Sequence, residues 1–289
     1  MMKKNIIPTL SKVLILALAF TLIYIPVVVI LIMSFTKSYS LSTLGLESGG
    51  TLKWYGSLFS NNYGALDIAK KYVSNIASLK TAILNTFAVT IISTIVSTIL
   101  GTFFAIGIHS FSKKIRTSLM VLNNMPVIMP DIVTGFLLLL IFVLFESIFG
   151  FKRGFNTVLI AHIFFSIPYV VLSVLPRLNQ IDENTYEAAR DLGCSRFEAV
   201  FKAIIPSIMT GIVAGAMFAF TMSIDDFVIS MFVSGQKFYN VSTWIDSSLR
   251  RGFIPKSVYA YNIIIFAIAS IVVVLTRISS IRKNKGELV

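Results

Sequence analysis

An all-α membrane fold is predicted by three observations. Of the 289 residues 56% are hydrophobic and only 13% charged; the apolar residues gather in six long runs; and within those runs they lie all round a helix rather than along one stripe. Soluble domains carry about 25% charged residues, so roughly half the usual polar covering is missing. A soluble fold of this composition would expose apolar patches that drive aggregation. Apolar residues on every face of a helix mark a lipid-embedded span.

Crossing about 30 Å of hydrocarbon takes roughly 20 mostly apolar residues. Six runs qualify: Val13–Met33, Thr81–Ile108, Leu119–Phe145, Thr157–Leu175, Ser207–Val233 and Val258–Thr276. The first follows Lys3, Lys4 and Lys12 as a signal peptide would. It exceeds the 7–15 apolar residues usual there and no small-x-small cleavage site follows, so it reads as a retained first span. Residues 1–289 are therefore expected to form a single transmembrane domain.

Basic residues exceed acidic ones, 25 to 13. They sit in short groups between apolar runs, with no continuous face to track a phosphate backbone, which argues against nucleic-acid binding. Orientation in the bilayer accounts for them better. Lys3, Lys4 and Lys12, then Lys113, Lys114 and Arg116, then Arg177, Arg190, Arg196 and Lys202, then Arg277, Arg282, Lys283 and Lys285 fall on alternate connections. With an even number of spans, both termini are expected in the cytoplasm. The one cysteine, Cys194, excludes an intrachain disulfide framework and cannot form a thiolate metal cluster alone.

The longest outer connection, Thr36 to Lys80, contains Gly49-Gly50 and Trp54-Tyr55, and is expected to hold a short interfacial helix with its aromatics at headgroup depth. A second outer loop, Ser234 to Ser257, is aromatic and basic. Pro126, Pro130 and Pro168 should kink the third and fourth spans.

Between the fourth and fifth spans the polar segment 182–206 breaks the apolar pattern. Asn184 with Glu187 three residues on can start a helix as a capping box, and Gly193 suits the left-handed residue that ends one. Ser195 with Glu198 then supplies a second start. The result is a bent helix-break-helix projection, in which Ala188 and Ala189 admit a close partner while Glu187 and Arg190 offer polar contacts. A connector lying against the membrane would use the same local signals.

Glu187-Ala188-Ala189, three residues, Gly193, and Pro206 thirteen residues later resemble the EAA signature of ABC importer permeases; Ile205 fits it too, whereas Ala203 departs from the isoleucine often found there. The resemblance implies the type I importer permease fold, with this loop docking into a groove of an ATPase subunit. It narrows to the second permease subunit of spermidine/putrescine importers through three segments: Leu52-Lys53-Trp54-Tyr55, Met125 to Val133 (MPVIMPDIV), and Ser223 to Ser230 (SIDDFVIS). Arg251-Gly252 and Pro255 match loosely. The departures are a longer outer loop around Asp67–Ser78 and an outer surface rich in Lys and Arg.

What the resemblance implies about partners is specific. They would be two ATPase subunits, a second related permease, an extracytoplasmic substrate-binding protein and the lipid bilayer of a bacterial cell membrane. No cofactor is expected on this chain; ATP and Mg would be used by the ATPase, since no Walker A G-K-[ST] loop occurs here. The chain is thus expected to be a transport subunit rather than an enzyme. A permease for another small solute is the alternative. An ion-coupled secondary transporter would favour paired half-repeats, which the sequence lacks.

Asp131, Asp225 and Asp226 fall within apolar runs, where a charge costs about 2.5–3.5 kcal/mol on insertion scales. On a pathway they would attract an ammonium-bearing substrate. Alternatively Asp131 caps a helix broken near Pro130, and Asp225 or Asp226 pairs with a neighbouring helix. His162, in the fourth run, reads as an interhelical hydrogen bond, a proton relay being the rarer use. His109 falls near the cytoplasmic interface. No nucleophile-base constellation or metal-ligand spacing stands out.

Overall fold

The computed structural model describes residues 6–37, 49–60, 70–182, 184–236, 238–251 and 255–286, and every extended element among them is helical. Lys3, Lys4, Asp67, Glu183 and Gly252 lie outside the described residues. The chain divides into two compact units, one of Met1–Lys80 with Ser248–Val289 and one of Thr81–Ser247.

In the first unit α1 (Ile6–Phe35) and α13 (Ser257–Gly286) pack together, and the short α2 (Lys53–Phe59) packs on α13. The interfacial helix expected around Trp54-Tyr55 is α2, but Trp54 is buried inside the unit. Its indole N–H donates to the Thr36 carbonyl at 2.8 Å, and the Tyr55 hydroxyl shares a proton with Ser34 at 2.7 Å. Residues 11 to 25 of α1 are exposed along their whole length, as expected of a helix with lipid or protein neighbours beyond this chain.

The second unit is organised by α6 (Phe155–Leu178). It packs most extensively on α10 (Met209–Ile224) and also meets α4 (Lys113–Ile128) and α11 (Val228–Val233); α11 in turn packs on α5 (Asp131–Phe149). Small residues set these distances. Gly211 and Gly215, four apart on α10, present bare backbone to α6, the small-xxx-small device of membrane helices. A Cβ on Gly215 would stand 3.1 Å from the Val170 Cα, and one on Gly101 of α3 (Lys70–Ser110) 2.7 Å from the Val170 Cβ.

Four helices are long and apolar enough to cross a membrane by themselves: Ser11–Phe35, Ile76–Ser110, Asp131–Phe149 and Phe155–Leu178. Arg196–Ser207 and Met209–Ile224, bent by 74° at their junction, qualify as a fifth when taken together. The sixth predicted run lies in α13, which is helical from Ser257 to Gly286 and includes the apolar stretch Ser257–Ile271.

Two predicted spans are corrected by breaks. Leu119–Phe145 is cut at Met129-Pro130 into α4 and α5, because proline donates no N–H and forces Met129 into extended backbone (φ −72°, ψ 141°). Ser207–Val233 is cut at residues 225–227 into α10 and α11. Pro126 and Pro168, by contrast, stay inside continuous helices. The loop expected at Ser234–Ser257 contains an unpredicted helix, α12 (Val241–Arg250), which buries Val241 and Trp244.

Candidate functional site

Two places in the second unit carry the residues singled out by sequence. The first is the segment between α6 and α10. There α7 (Asn184–Asp191) buries no side chain. Its start is made by Asp182, whose carboxylate accepts from the Asn184 N–H at 2.9 Å and whose carbonyl accepts from Thr185 N–H. Asn184 is already the first helical residue, which corrects the capping role expected of it: the preceding aspartate reaches the open N–H first.

The end of α7 follows the sequence reading. Gly193 stands at φ +90°, and the Cys194 N–H bonds back to the Ala189 carbonyl at 3.1 Å, closing the turn. Ser195 and Glu198 then form the predicted capping box: the Glu198 N–H donates to Ser195 Oγ at 3.3 Å and the Ser195 N–H to Glu198 Oε2 at 2.9 Å. Lys202 Nζ donates to Glu198 Oε1 at 2.8 Å. That bond first, and the two from Ser195 second, hold the Glu198 carboxyl down to about 2.

The short α8 (Arg196–Ala199) leads into one π turn, Val200–Ile204, before α9 (Ile205–Ser207). Pro206 lacks the N–H that an α-helix would aim at the residue 202 carbonyl; the wider turn absorbs the mismatch, with the Ile205 N–H reaching Val200 O. Glu187, Ala188 and Pro206 are exposed and Ala189 half-buried. Leu192 and Phe197 are 87% and 81% exposed, so the bend presents two large apolar side chains beside Glu187 with nothing of this unit upon them.

The second place is a cavity of about 410 Å³ whose walls include Asp131, Asp225 and Asp226, the three aspartates of the apolar runs, together with Thr134 and Tyr169. Two helix breaks bring them there. Asp131 occupies the first turn of α5, just after the break at Pro130, while Asp225 terminates α10 and Asp226 precedes α11. Asp131 makes no side-chain cap; Pro130 holds the capping position, and the carboxylate is exposed to the cavity. Asp225 is likewise exposed.

Asp226 differs. Its oxygens accept the Ile229 N–H at 3.2 Å and the Ser230 N–H at 2.7 Å, and Oδ2 lies 3.4 Å from His162 Nε2. His162, 1% exposed, meets Ser223 Oγ through Nδ1 at 2.7 Å and Ser230 Oγ through Nε2 at 3.0 Å. The interhelical hydrogen bond expected of this histidine is therefore double. Ser223 continues to Ser93 on α3 at 2.9 Å. The Asn240 amide donates to the Asp226 carbonyl at 3.1 Å and to Ser230 Oγ at 2.9 Å, while its oxygen caps α12 through the Thr243 N–H.

Sequence reasoning missed the lining of Thr134 and Tyr169 and the network of Ser93, Ser223, Ser230 and Asn240. The first signal available was the polar spacing Thr86, Thr90, Ser93, Ser97 at helical intervals along one face of α3, all four of them buried. For Asn240 the signal was Asn followed three residues on by Thr243, a helix-start pattern in what read as a loop.

Residues 97–283 match the family described as binding-protein-dependent transport system inner membrane component. The chain is 31% identical over 249 residues to the Escherichia coli (strain K12) putrescine transport system permease protein PotI, covering 85% of this chain and 82% of that one. It is 32% identical over 267 residues to the spermidine/putrescine transport system permease protein PotC of the same strain, covering 91% of each. Among solved structures, a crystal structure of an amino acid ABC transporter with histidines is 23% identical with a TM-score of 0.47, over 71% of this chain and 90% of that one.

Proposed function

The chain belongs to the family of binding-protein-dependent transport system inner membrane components, and from that premise we propose that it is the ABC importer permease through which spermidine or putrescine crosses the membrane. The observation that carries the substrate class is the gathering of Asp131, Asp225 and Asp226 around one cavity. A polyamine is a chain of ammonium groups joined by methylenes. Stripping its hydration is costly unless carboxylates replace the lost water, and in a low-dielectric setting their attraction is strengthened. Both relatives of about 31–32% identity carry names specifying putrescine or spermidine, which supports the same reading.

The segment 182–206 is then the coupling loop. Glu187, Ala188, Ala189 and Gly193 form the docking surface for an ATPase, and Pro206 with its π turn transmits movement to α10. The exposure of Leu192 and Phe197 supports this, because two uncovered apolar side chains at a rigid bend suit a protein groove. In this reading two ATPase subunits hydrolyse ATP with Mg, a second related permease completes the pathway, and an extracytoplasmic binding protein delivers substrate. The chain itself holds no cofactor and catalyses no reaction. Residues 1–289 act as one transmembrane domain with both termini in the cytoplasm of a bacterial cell.

The test is uptake of labelled spermidine and putrescine in cells whose own polyamine uptake is deleted, supplied with this permease and its partner subunits. Asp225→Asn, Asp226→Asn and Asp131→Asn keep shape but delete charge, and should each lower uptake at unchanged protein amount and ATPase association. Wild-type rates in all three would overturn the polyamine pathway. Orientation is checked separately with Ser60→Cys in a Cys194→Ser background, expected to label from outside; labelling only from the cytoplasm would overturn the topology.

A further inference from the structure

The break between α10 and α11 has no backbone device of its own. Asp225 (φ −105°, ψ 4°) and Phe227 (φ −110°, ψ −48°) are ordinary conformations, and the positive-φ glycines among the described residues, at 49, 150, 193 and 235, lie elsewhere. The Asp226 carboxylate caps the start of α11 by accepting the Ile229 and Ser230 N–H groups, but that cap holds only the second half-helix; what fixes the angle between the two must reach both. One side chain on α6 touches both: His162 holds Ser223 in the last turn of α10 with one ring nitrogen and Ser230 in the first turn of α11 with the other. All three side chains are at most 1% exposed.

A neutral imidazole carries one donor and one acceptor, and a serine hydroxyl can play either part, so the bridge closes with the proton on either nitrogen. Asn240 narrows the geometry further by donating to Ser230 Oγ and to the Asp226 carbonyl. Asp226 is tied to the same spot by the Ser230 N–H and by its 3.4 Å approach to His162 Nε2. Moving the ring would therefore move the ends of both half-helices, and with them the two carboxylates in the cavity wall.

We infer that His162 is a positioning residue for the transport cavity, bridging the two halves of an interrupted helix so that Asp225 and Asp226 keep their place in its wall. The inference rests on the cavity reading for its effect on transport, but the positional claim can be measured without transport. Asp225→Cys is placed in the Cys194→Ser background, with and without His162→Ala, and its rate of modification by a cationic methanethiosulfonate is followed in membranes.

The rate is expected to change at least threefold when the imidazole is removed; an unchanged rate overturns the inference. Uptake by His162→Ala alone should fall at least tenfold at normal ATPase association. His162→Asn, which can keep the Ser223 side of the bridge, and His162→Gln, which can keep the Ser230 side, should fall between. Combined with Asp225→Asn and Asp226→Asn together, His162→Ala should add little, since it acts through those two residues; multiplied losses would overturn the inference in favour of a general packing role. Should His162→Ala fail to accumulate, Ser230→Ala trims one hydroxyl and carries the same labelling readout. If Asp225→Asn and Asp226→Asn transport normally while labelling still depends on His162, the cavity reading fails and the positioning claim stands. If the aspartates matter and labelling ignores His162, the reverse holds.

Discussion

Two of the second unit's helix breaks, at Gly193 in the proposed coupling loop and at residues 225–227 beside the cavity, are made by different means. At Gly193 the break is written in the backbone: a residue at φ +90° ends α7, and a capping box two residues on starts α8. Every group involved lies within about a dozen residues and most are exposed. At residues 225–227 Asp226 caps the start of α11 locally, but the two half-helices are joined by His162, sixty-one residues before Ser223, and by Asn240, ten after Ser230. A local break keeps its shape without its neighbours and can be offered to another protein. A break held by tertiary contacts is shaped by the surrounding helices, so it can change when they shift. The first suits a docking lever and the second a wall of a pathway.

The contrast is broken most severely by separating α6 from α10. Gly215→Leu would drive a side chain into the Val170 backbone, 3.1 Å from the position of a Cβ, with no flexible end to yield. Overpacking of this kind costs about 3 kcal/mol at the upper end of its usual range. The melting temperature of the detergent-solubilised protein should fall further than in Gly193→Val or Asn240→Ala. Labelling of Asp225→Cys should change with it, while the bend at Gly193 is left intact. A melting temperature equal to that of the unsubstituted protein would mean that α10 is not seated on α6 through its glycines.

Gly193→Val attacks the local break instead. A β-branched residue at φ +90° is strained by about 2 kcal/mol. Open space surrounds the Gly193 Cβ position, so the strain is conformational and not steric crowding from neighbours. Uptake and copurification with the ATPase should fall at least tenfold, with insertion unchanged and the melting temperature lowered by less than in Gly215→Leu. Glu187→Lys should do the same through charge. Normal ATP-coupled uptake by both variants would remove the docking role from this loop.

Asn240→Ala sharpens the comparison from the other side. It deletes the cap of α12 and both amide bonds to the second break, at a cost of about 1 kcal/mol for the cap alone. Uptake should drop a few-fold and ATPase copurification not at all. Equal losses in both assays would show that the two breaks are not independent.

How much of this was legible in sequence follows the same division. Gly193 and the Ser195–Glu198 box were readable because their partners are within four residues and the chemistry repeats across proteins. Pro130 was readable as a disturbance, though it severs the helix rather than kinking it. The break at residues 225–227 was not legible: an apolar run interrupted by two aspartates looks like a charged span, although Asp226 caps the start of α11, and the histidine that joins the two ends comes only with the placement of α6. The aspartates themselves stood out, because carboxylates in apolar runs are costly. Thr134 and the serines did not, since small hydroxyls are common in membrane helices and bond to their own turn. Asn184 was misread for a simpler reason: Asp182, two residues earlier, satisfies the same N–H.

The smallest effect expected is on acidity, and it discriminates between the two breaks by its absence at one of them. Glu198 belongs wholly to the local break, and its carboxyl is held down to about 2, first by Lys202 and then by Ser195. Lys202 is raised in turn by the same pair. A carboxyl whose folded value lies below its unfolded value of about 4.3 contributes stability that is complete above the unfolded value and is lost only as pH falls through the folded one. The contribution of this pair to the loop is therefore constant from pH 8 down to about 5, then declines towards pH 2. Both groups are exposed, so salt should weaken the pair without abolishing the capping box. Copurification of the ATPase with the permease, measured between pH 8 and 5, should consequently be flat with respect to Glu198, and Glu198→Gln should shift its level slightly without giving it a slope. A slope that appears between pH 7 and 5 in the unsubstituted protein and vanishes in Glu198→Gln would mean that Glu198 titrates far above the value its hydrogen bonds imply. The start of α8 would then be open in the free permease, and the local break would depend on its partner as the tertiary one depends on His162.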